Sequence, residues 1–587
     1  TGMHNTLLGN NAGYNVKDAE GSVIIGGYAG RYASGSRNTF IGYGTGDGGT
    51  TSAPFSSGQY NTVVGAEAFD VFTTGEYNSI FGYQSGDAIT TGNLNVAMGR
   101  SALGAETIGI STVAIGDNAG SQQNFGSHAA TYNTMVGSGA GFWNVTGTGN
   151  TYLGAGAGTG AGSNSNSNNT GVGTFSLRAI TTGGYNTTLG KNAGMAITTA
   201  NYNTFVGAWS GDAITTAGYN TAVGFQSLSA ASDANFNVVF GHQAGMSITS
   251  GDANTLLGAY VGNQMTTGTE NVFVGRQAGN ATTTGYQNSL VGTYSGYALS
   301  IGRGNTALGY ESLKADDVGN YTTAIGYRAL YTQNSDSDNE NTYNVGIGYN
   351  AGYSNVTGKF NTQVGSEAGK GASGQSYSYA TVVGYGAGYS LTTTGVTAFG
   401  YQAAKSSTTG GGVHIGYQAG YSQTTGGGNV SVGDGALYSN QTNVYNVAIG
   451  KGALYDLAGS SLDANVAVGW EAGKNAQVDT GTIMIGYRAG IVKQGHSSIS
   501  IGYEAGLSSR SGGMIAIGRD SARGVGYHYA GGVVIGYQAG MRIMSGSTDS
   551  VTLVGYRAGY QMSGSNDFFG YQAGYGSVTD APYGSGE

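Results

Sequence analysis

The sequence predicts an all-β fold, a parallel β-solenoid of about 33 coils, and three observations lead to that prediction. Glycine supplies 113 of the 587 residues, whereas proline supplies two and cysteine none. Glycines recur with a period of 17 residues over most of the chain. A short β-branched and apolar segment precedes each of those glycines. One small unit repeated at a fixed period is the sequence pattern of repeat architectures.

The composition excludes several classes of protein. The glycines follow no Gly-X-Y period, which excludes collagen, and 43 tyrosines with 17 phenylalanines argue against disorder. The absence of cysteine excludes disulfide scaffolds and thiolate metal sites. A net charge of −9 with only 22 Lys and Arg predicts no nucleic-acid partner. The longest apolar runs fall short of the roughly 18 residues that a membrane span needs.

The period runs through the whole sequence. Repeat glycines follow one another every 17 residues from Gly173 to Gly326, and 33 of them lie between Gly9 and Gly570. We therefore predict a single continuous array over residues 1–587, with longer loop insertions near 46–58, 121–132 and 331–343. Positions within a coil are counted below from the repeat glycine, which is position zero.

The segment before the repeat glycine predicts a short strand. Position −1 is large and apolar in all 33 copies, and position −3 is Thr, Ser, Val or Ile except at Asp567. Position −4 is Asn in 22 copies, which predicts a column of hydrogen-bonded Asn side chains. A helix is disfavoured because each of its interior glycines would cost about 1 kcal/mol relative to Ala.

The rest of each coil predicts a second short strand between two turns. Position +3 is Ala or Ser in 31 copies and position +4 is Gly in 23, after which a polar triplet such as Thr-Thr-Gly leads to the next coil. Two strands and two turns per period make one solenoid coil, and equivalent positions then stack at about 4.8 Å.

Both faces of the first strand are apolar. We predict that positions −1 and −3 point into the coil and that position −2 points away from it, because successive side chains of a strand alternate. Position −2 is nevertheless apolar in 26 of 33 copies. A strand that is apolar on both faces is buried on both faces. The outward face therefore predicts a parallel homo-oligomer, most simply a trimer.

The repeat resembles a known family. The segments Asn305–Gly309, Asn446–Gly450 and Thr112–Gly116 read Asn-Thr-Ala-Leu-Gly, Asn-Val-Ala-Ile-Gly and Thr-Val-Ala-Ile-Gly. They are similar to the head repeats of trimeric autotransporter adhesins (YadA-like) and to the "NTAIGYxAG" repeats of bacteriophage tail fibres. The resemblance covers essentially all 587 residues. It implies a left-handed parallel β-roll trimer on a cell surface or virion, although the period is longer than in the adhesin heads.

The functional expectation follows from the repeat and the resemblance. We expect a non-enzymatic, cofactor-free, extracellular fibrous protein that forms the shaft or head of a tail fibre or adhesin. Its partners would be further copies of itself and a host-surface glycan or protein receptor, held by many weak contacts. Two alternatives remain open. One is a self-assembling extracellular filament, and the other is a polysaccharide-degrading spike, which would need paired carboxylates on adjacent coils.

Candidate binding residues are the tyrosines at position +1. Tyrosine occupies that position in 13 copies, 11 of them from Tyr310 onward. Such a column suits sugar rings, and the alternative interpretation is a stacked ladder that stabilises the coils. The predicted surface residues are Tyr385, Tyr401, Tyr417, Tyr487, Tyr503, Tyr537, Tyr556 and Tyr571.

One segment is a candidate metal site. Asp336, Asp338 and Glu340 place oxygen ligands at alternate positions, which could suit Ca²⁺. The segment lacks the glycine and the distal Glu of a calcium loop, so a solvated loop is the competing interpretation. The six histidines lie far apart in sequence, and no catalytic or metal role is expected for them: His4, His128, His242, His414, His496 and His528.

Overall fold

A computed structural model describes residues 2–162, 164–408, 410–457, 463–477, 480–492, 497–508, 512–524, 531–542, 550–561 and 566–576. The chain divides into two compact units, Thr1–Tyr294 and Ser295–Glu587. Each unit is a parallel β-solenoid built from the same coil. This confirms the predicted all-β fold class and the repeat near 17 residues.

Within residues 2–162 and 164–294 the first unit has seventeen strands, which pair in parallel and in chain order. They are β1 (Thr6–Leu8), β2 (Val23–Ile25), β3 (Thr39–Ile41), β4 (Thr62–Val64), β5 (Ser79–Phe81), β6 (Val96–Met98), β7 (Val113–Ile115), β8 (Thr134–Val136), β9 (Thr151–Leu153), β10 (Thr170–Val172), β11 (Thr187–Leu189), β12 (Thr204–Val206), β13 (Thr221–Val223), β14 (Val238–Phe240), β15 (Thr255–Leu257), β16 (Val272–Val274) and β17 (Ser289–Val291).

The described residues of the second unit form sixteen strands, again parallel and in chain order. They are β18 (Thr306–Leu308), β19 (Thr323–Ile325), β20 (Val345–Ile347), β21 (Thr362–Val364), β22 (Thr381–Val383), β23 (Val396–Phe399), β24 (Gly412–Ile415), β25 (Asn429–Val432), β26 (Val447–Ile449), β27 (Val466–Val468), β28 (Ile483–Ile485), β29 (Ile499–Ile501), β30 (Ile515–Ile517), β31 (Val533–Ile535), β32 (Thr552–Val554) and β33 (Phe568–Phe569).

Among the described residues each coil has one strand, so the prediction of a second strand is wrong. Outside the named strands, pairing between described residues is limited to isolated parallel bridges, such as Ala33 to Ser56. The chain after the repeat glycine instead adopts positive φ at positions +2 and +4, as at Trp209 (60°) and Gly211 (56°). The Trp209 amide donates to Lys191 O of the preceding coil, and the Gly211 amide donates to Ser227 O of the next, each at 3.0 Å. These alternating bonds hold the coils together without a second ladder.

The predicted orientation of the strand is also wrong, and its two faces are exchanged. The middle residue, at position −2, is the buried one: Ile24, Phe40 and Phe205 are at most 1% exposed. In strands such as β2 and β3, the side chains at positions −3 and −1 are only partly buried and point outward. The reason lies in the Asn at position −4. Its side chain makes its hydrogen bonds inside the coil and is therefore buried there. Alternation along the strand then places position −2 on the same inner side.

Two positions share the space inside each coil. Where position −2 is large, position +4 is usually glycine: a Cβ on Gly211 would lie 2.6 Å from the Phe205 ring. Where position −2 is small, position +4 often carries a buried Leu, as in the pair Ala222 and Leu228. Close packing at nearly constant volume explains this exchange, because interiors tolerate neither voids nor overlap.

The Asn column is confirmed as a hydrogen-bonded ladder. In Asn203, the backbone amide and the side-chain Nδ2 both donate to Oδ1 of Asn186, each at 3.1 Å. The same Nδ2 also donates to Ala217 O at 3.0 Å. The arrangement repeats from coil to coil and satisfies polar groups that would otherwise be costly to bury.

Candidate functional site: the outward columns

Position −1 forms an outward apolar column in each unit. It consists of the last residues of strands β1–β17 in the first unit and of β18–β33 in the second. Its exposed members include Leu153, Leu189 and Ile415, which are 46, 49 and 40% exposed. Because position −1 is apolar in every copy, this outer apolar column is an uninterrupted hydrophobic stripe within each unit, and such stripes mark interaction surfaces.

The predicted surface tyrosines fall into three stacked runs at position +1. Tyr385, Tyr401 and Tyr417 follow one another with ring centroids 5.4 and 5.1 Å apart and nearly parallel planes. A second run joins Trp470, Tyr487 and Tyr503. The third run comprises Tyr537, Tyr556 and Tyr571.

The stacking determines what these runs present to solvent. In the first run the planes of neighbouring rings differ by 11° and 7°, so each ring covers the face of the next. Ring edges and hydroxyl groups therefore point outward, and free ring faces occur at the ends of a run. This geometry is the stacked ladder of the alternative interpretation. The predicted binding role of these tyrosines stays a prediction.

A second aromatic column, at position −5, was not recognised in the sequence. Tyr185, Tyr202, Tyr219 and Phe236 stack with centroids 5.1 Å apart. All four rings are exposed and all four backbones lie in the left-handed region, with φ between 59° and 61°. In the second unit the same position carries a run of Tyr321, Tyr343, Phe360 and Tyr379. Aromatic residues at position −5 in 12 of 33 copies were the available signal.

Position +5 combines lysines and tyrosines in the second unit. Lys370 Nζ donates to the Tyr389 hydroxyl, and Lys405 Nζ donates to the Tyr421 hydroxyl, each at 2.9 Å. Each ammonium also lies within 5 Å of the partner ring's centroid, which is cation–π geometry. Hydrogen bonding to the tyrosine raises the pKa of each lysine. The column is therefore cationic but largely engaged by its own neighbours.

The same position carries an acidic cluster in three successive coils of the first unit. Asp47, Asp70 and Asp87 occupy position +5 of three successive coils, with Glu67 close by. Partial burial and the charges of Asp47, Glu67 and Asp87 raise the pKa of Asp70. Arg31 neutralises Asp47 at 2.6 Å. This clustering was missed in the sequence, because a 23-residue step from Gly42 to Gly65 hides the equivalence of the first two aspartates.

Two of the predicted insertions are each accompanied by a buried polar network, and the two networks have the same arrangement. In the first, Gln123 donates to Glu106 Oε2 at 3.0 Å and to Thr112 Oγ1 at 2.8 Å. Asn133 in turn donates to Gln123 Oε1 at 3.0 Å, and Gly109 donates its amide to the Glu106 carboxylate at 2.7 Å. Gln123 belongs to the insertion at 121–132, so the network ties this insertion to the coil beside it.

The second network repeats these roles for the insertion at 331–343. Gln333 donates to Asp316 Oδ2 at 2.8 Å and to Thr322 Oγ1 at 3.1 Å, and it accepts from Asn344 Nδ2 at 3.0 Å. Burial raises the pKa of Asp316, while the amides of Gly319 and other donors oppose that shift. Both longer loops thus lie on coils that bury a hydrogen-bonded polar network beside apolar residues such as Leu103 and Leu330.

Two of the candidate calcium ligands make contacts within the chain. Glu340 pairs with Lys359 through one oxygen and accepts the Asp336 amide at 3.4 Å through the other. No group of three His, Asp or Glu side chains suited to a metal ion occurs in the part of the chain that the structure describes.

The described histidines His414, His242 and His128 have different surroundings. His414 is fully buried at position −2 of β24, where Nδ1 meets Ser431 Oγ at 2.8 Å and Nε2 has no hydrogen-bond partner. Burial lowers the pKa of His414 to about 4. His242 stacks on Phe225 at 5.4 Å, and His128 lies 2.9 Å from Thr91 Oγ1. His496 and His528 fall outside the described residues.

Comparison with known proteins adds no relative. No family model matches the chain, and no curated protein matches it. Across the described ranges, no helix is long and apolar enough to cross a membrane.

Proposed function

We propose that this protein is a non-catalytic extracellular fibre that attaches to a host or other surface through many equivalent weak contacts. The observation that supports this proposal is the repetition of the same outward columns on successive coils. Tyr385, Tyr401 and Tyr417, for example, present identical hydroxyl-bearing edges about 5 Å apart. A shaft or head of a tail fibre or adhesin would use such a surface.

Repetition supplies the avidity. A single tyrosine edge offers one hydroxyl and part of one ring, which is too little for tight binding. When many such sites engage one surface together, each later contact becomes intramolecular, and total affinity can rise by roughly 10²–10⁴ over one site. A host-surface glycan fits this chemistry, because its hydroxyls can pair with a row of phenols and its ring faces with the free ends of a run.

The oligomeric part of the proposal rests on the outer apolar column. Its aliphatic side chains would be costly to leave in water at about 25 cal/mol per Å². Every copy of the chain carries the same column with the same spacing. A parallel homo-oligomer would therefore cover the outer apolar columns of all its copies together. The number three comes from the resemblance to trimeric adhesins and tail fibres.

Attachment can be tested on immobilised glycans and extracellular matrix proteins. We expect the chain to bind a subset of them with slow dissociation. Replacing Tyr385, Tyr401 and Tyr417 together by Ala should raise the dissociation rate at least tenfold. The matched control is Tyr445→Ala, which removes one exposed tyrosine that has Gly428 and Ala464 at the equivalent positions of its neighbours. Equal dissociation of both variants and the parent chain would contradict a role for the run.

A self-assembling filament is the second candidate, favoured by the contrast at position +5. In the first unit the charged residues there are Asp47, Asp70, Asp87 and Asp212 with Arg31 and Arg178, whereas in the second they are Lys314, Lys370, Lys405, Lys474 and Arg523. Staggered copies could place these columns against each other. Electron microscopy separates the candidates: filaments of open length at low salt that shorten at high salt would favour this one, and particles of one length would favour the fibre.

A further inference from the structure

The stacked tyrosines bring phenol groups into repeated, in-register contact. In the run Tyr385, Tyr401 and Tyr417 the centroids lie 5.4 and 5.1 Å apart with planes within 11°. In the first unit, Tyr185, Tyr202 and Tyr219 lie 5.1 Å apart with planes within 18°. Because each ring has the same position in its coil and the planes are nearly parallel, equivalent carbons of neighbouring rings face each other across this spacing.

These rings are accessible, unlike two others in the chain. All six tyrosines of the two runs are exposed. Tyr152 and Tyr377 are instead fully enclosed; burial raises the pKa of both, and their hydroxyls donate inside the coil to Asn166 Oδ1 and Gly369 O. A small oxidant in solution can therefore reach the runs, while the two enclosed phenols are shielded.

We propose that the stacked tyrosine runs are sites of oxidative cross-linking, at which neighbouring phenols couple to dityrosine. The co-reactant is hydrogen peroxide acting through a peroxidase. Each of two phenols loses one electron and one proton, and the two hydrogen atoms reduce one peroxide to two waters. The two phenoxyl radicals join through a carbon–carbon bond between ring positions next to the oxygens. The hydrogens displaced from those carbons move to the oxygens and restore both phenols.

The consequence is a covalent staple between consecutive coils. Tyr385 and Tyr401 are 16 residues apart, as are Tyr401 and Tyr417, so each link closes one coil. The chain has no cysteine and hence no disulfides. A link across one coil restricts the unfolded chain in the manner of a disulfide. The modification occurs within one chain and does not depend on the proposed attachment function or on the number of subunits.

The chain contains its own negative controls. Phe360 separates Tyr343 from Tyr379 in a stacked run, and phenylalanine forms no phenoxyl radical. Tyr379 is therefore exposed and stacked but has no phenol beside it in that run. Tyr445 is 70% exposed, and the equivalent positions of the adjacent coils carry Gly428 and Ala464.

The experiment treats the full chain with a peroxidase and hydrogen peroxide and maps cross-linked peptides by mass spectrometry. We expect links that lack two hydrogens between Tyr385 and Tyr401, between Tyr401 and Tyr417, and between members of the Tyr185 run. Their yield should not change on tenfold dilution. Tyr401→Phe should remove both links of its run and leave those of the first unit unchanged.

A second variant is designed to create a cross-link rather than to remove one, so that the test does not depend on a loss of yield alone. Phe360→Tyr should create new links from position 360 to Tyr343 and to Tyr379, whereas Tyr445→Phe should change no yield. The proposal is overturned if no dityrosine forms, if Phe360→Tyr adds no link, if yields fall with dilution, or if Tyr445 is linked as often as the stacked residues.

Discussion

At the scale of single residues, the repeat glycine has the strictest requirement. Gly207 has φ of +131°, and a Cβ placed on it would lie 2.4 Å from the carbonyl oxygen of Gly224, the repeat glycine of the next coil. The close approach is between two backbones, so no side-chain rotation can relieve it. This explains why the period of the sequence is marked by glycine and by no other residue.

We predict that Gly207→Ala lowers the free energy of unfolding by about 3 kcal/mol or more, since left-handed strain alone costs roughly 1–3 kcal/mol. The measurement is the midpoint of denaturant unfolding. The matched control is Gly126→Ala, because a Cβ on Gly126 has no heavy atom within 4 Å. A change at Gly207 no larger than that at Gly126 would contradict the close-approach explanation.

His414 makes stability depend on pH. Burial lowers its pKa in the folded chain to about 4, against an ordinary value near 6.5. As pH falls below 6.5, the unfolded chain takes up a proton at this histidine before the folded chain does. The contribution of neutral His414 to the free energy of unfolding is therefore fully present above about pH 6.5 and is lost progressively down to about pH 4. At about 1.36 kcal/mol per pKa unit, the free energy of unfolding falls by roughly 3 kcal/mol over this range.

Unfolding of the parent chain and of His414→Gln should be compared at pH 7 and at pH 4.5. The glutamine variant removes this titration while the carboxylates of the two chains titrate alike. We predict a smaller loss of stability for the variant on acidification. Parallel pH profiles would show that His414 is not buried as a neutral group.

At the scale of one coil, the interior volume is shared between positions −2 and +4. Phe205→Ala removes a buried ring and should cost about 3–5 kcal/mol. Gly211→Leu alone should also destabilise the chain, because the added side chain meets the Phe205 ring. Together they reproduce the Ala222 and Leu228 arrangement, in which Leu228 has φ of 52°, close to 56° at Gly211.

We therefore predict that the double variant is more stable than either single variant by at least about 1 kcal/mol. A double-mutant cycle from denaturant unfolding measures this coupling. As a control, Phe205→Ala combined with the distant Gly126→Ala should give additive effects. Additivity at Phe205 and Gly211 would mean that the two positions do not share one volume.

Much of the coil could be predicted from the sequence because the same residues recur in every copy. The strand before Gly207 and the Asn203 ladder follow from such columns. The inner face could not be assigned in this way, since positions −2 and −1 are both apolar. Side chains such as Leu228 gave no signal of the positive φ at position +4, so a second strand was predicted from positions +3 and +4 onward. The clustering of Asp47 with Asp70 was hidden by an unequal step between their coils.

At the scale of the whole molecule, we propose that association of several copies covers the outer apolar column. Leu189 and Leu257 lie in that column, whereas Thr199 and Thr267 are exposed on the turns of the same two coils. Leu189→Asp with Leu257→Asp places two charges on the proposed interface. Thr199→Asp with Thr267→Asp adds the same charge elsewhere on those coils, and is the matched control.

The most direct measurement is the solution mass of these three chains by light scattering coupled to size-exclusion chromatography. The parent chain and the threonine control should have a mass that is a multiple of 59.1 kDa, most simply three times that value. The leucine variant should shift toward a monomer. A parent chain that is monomeric at every concentration, with its outer apolar column in water, would contradict the account.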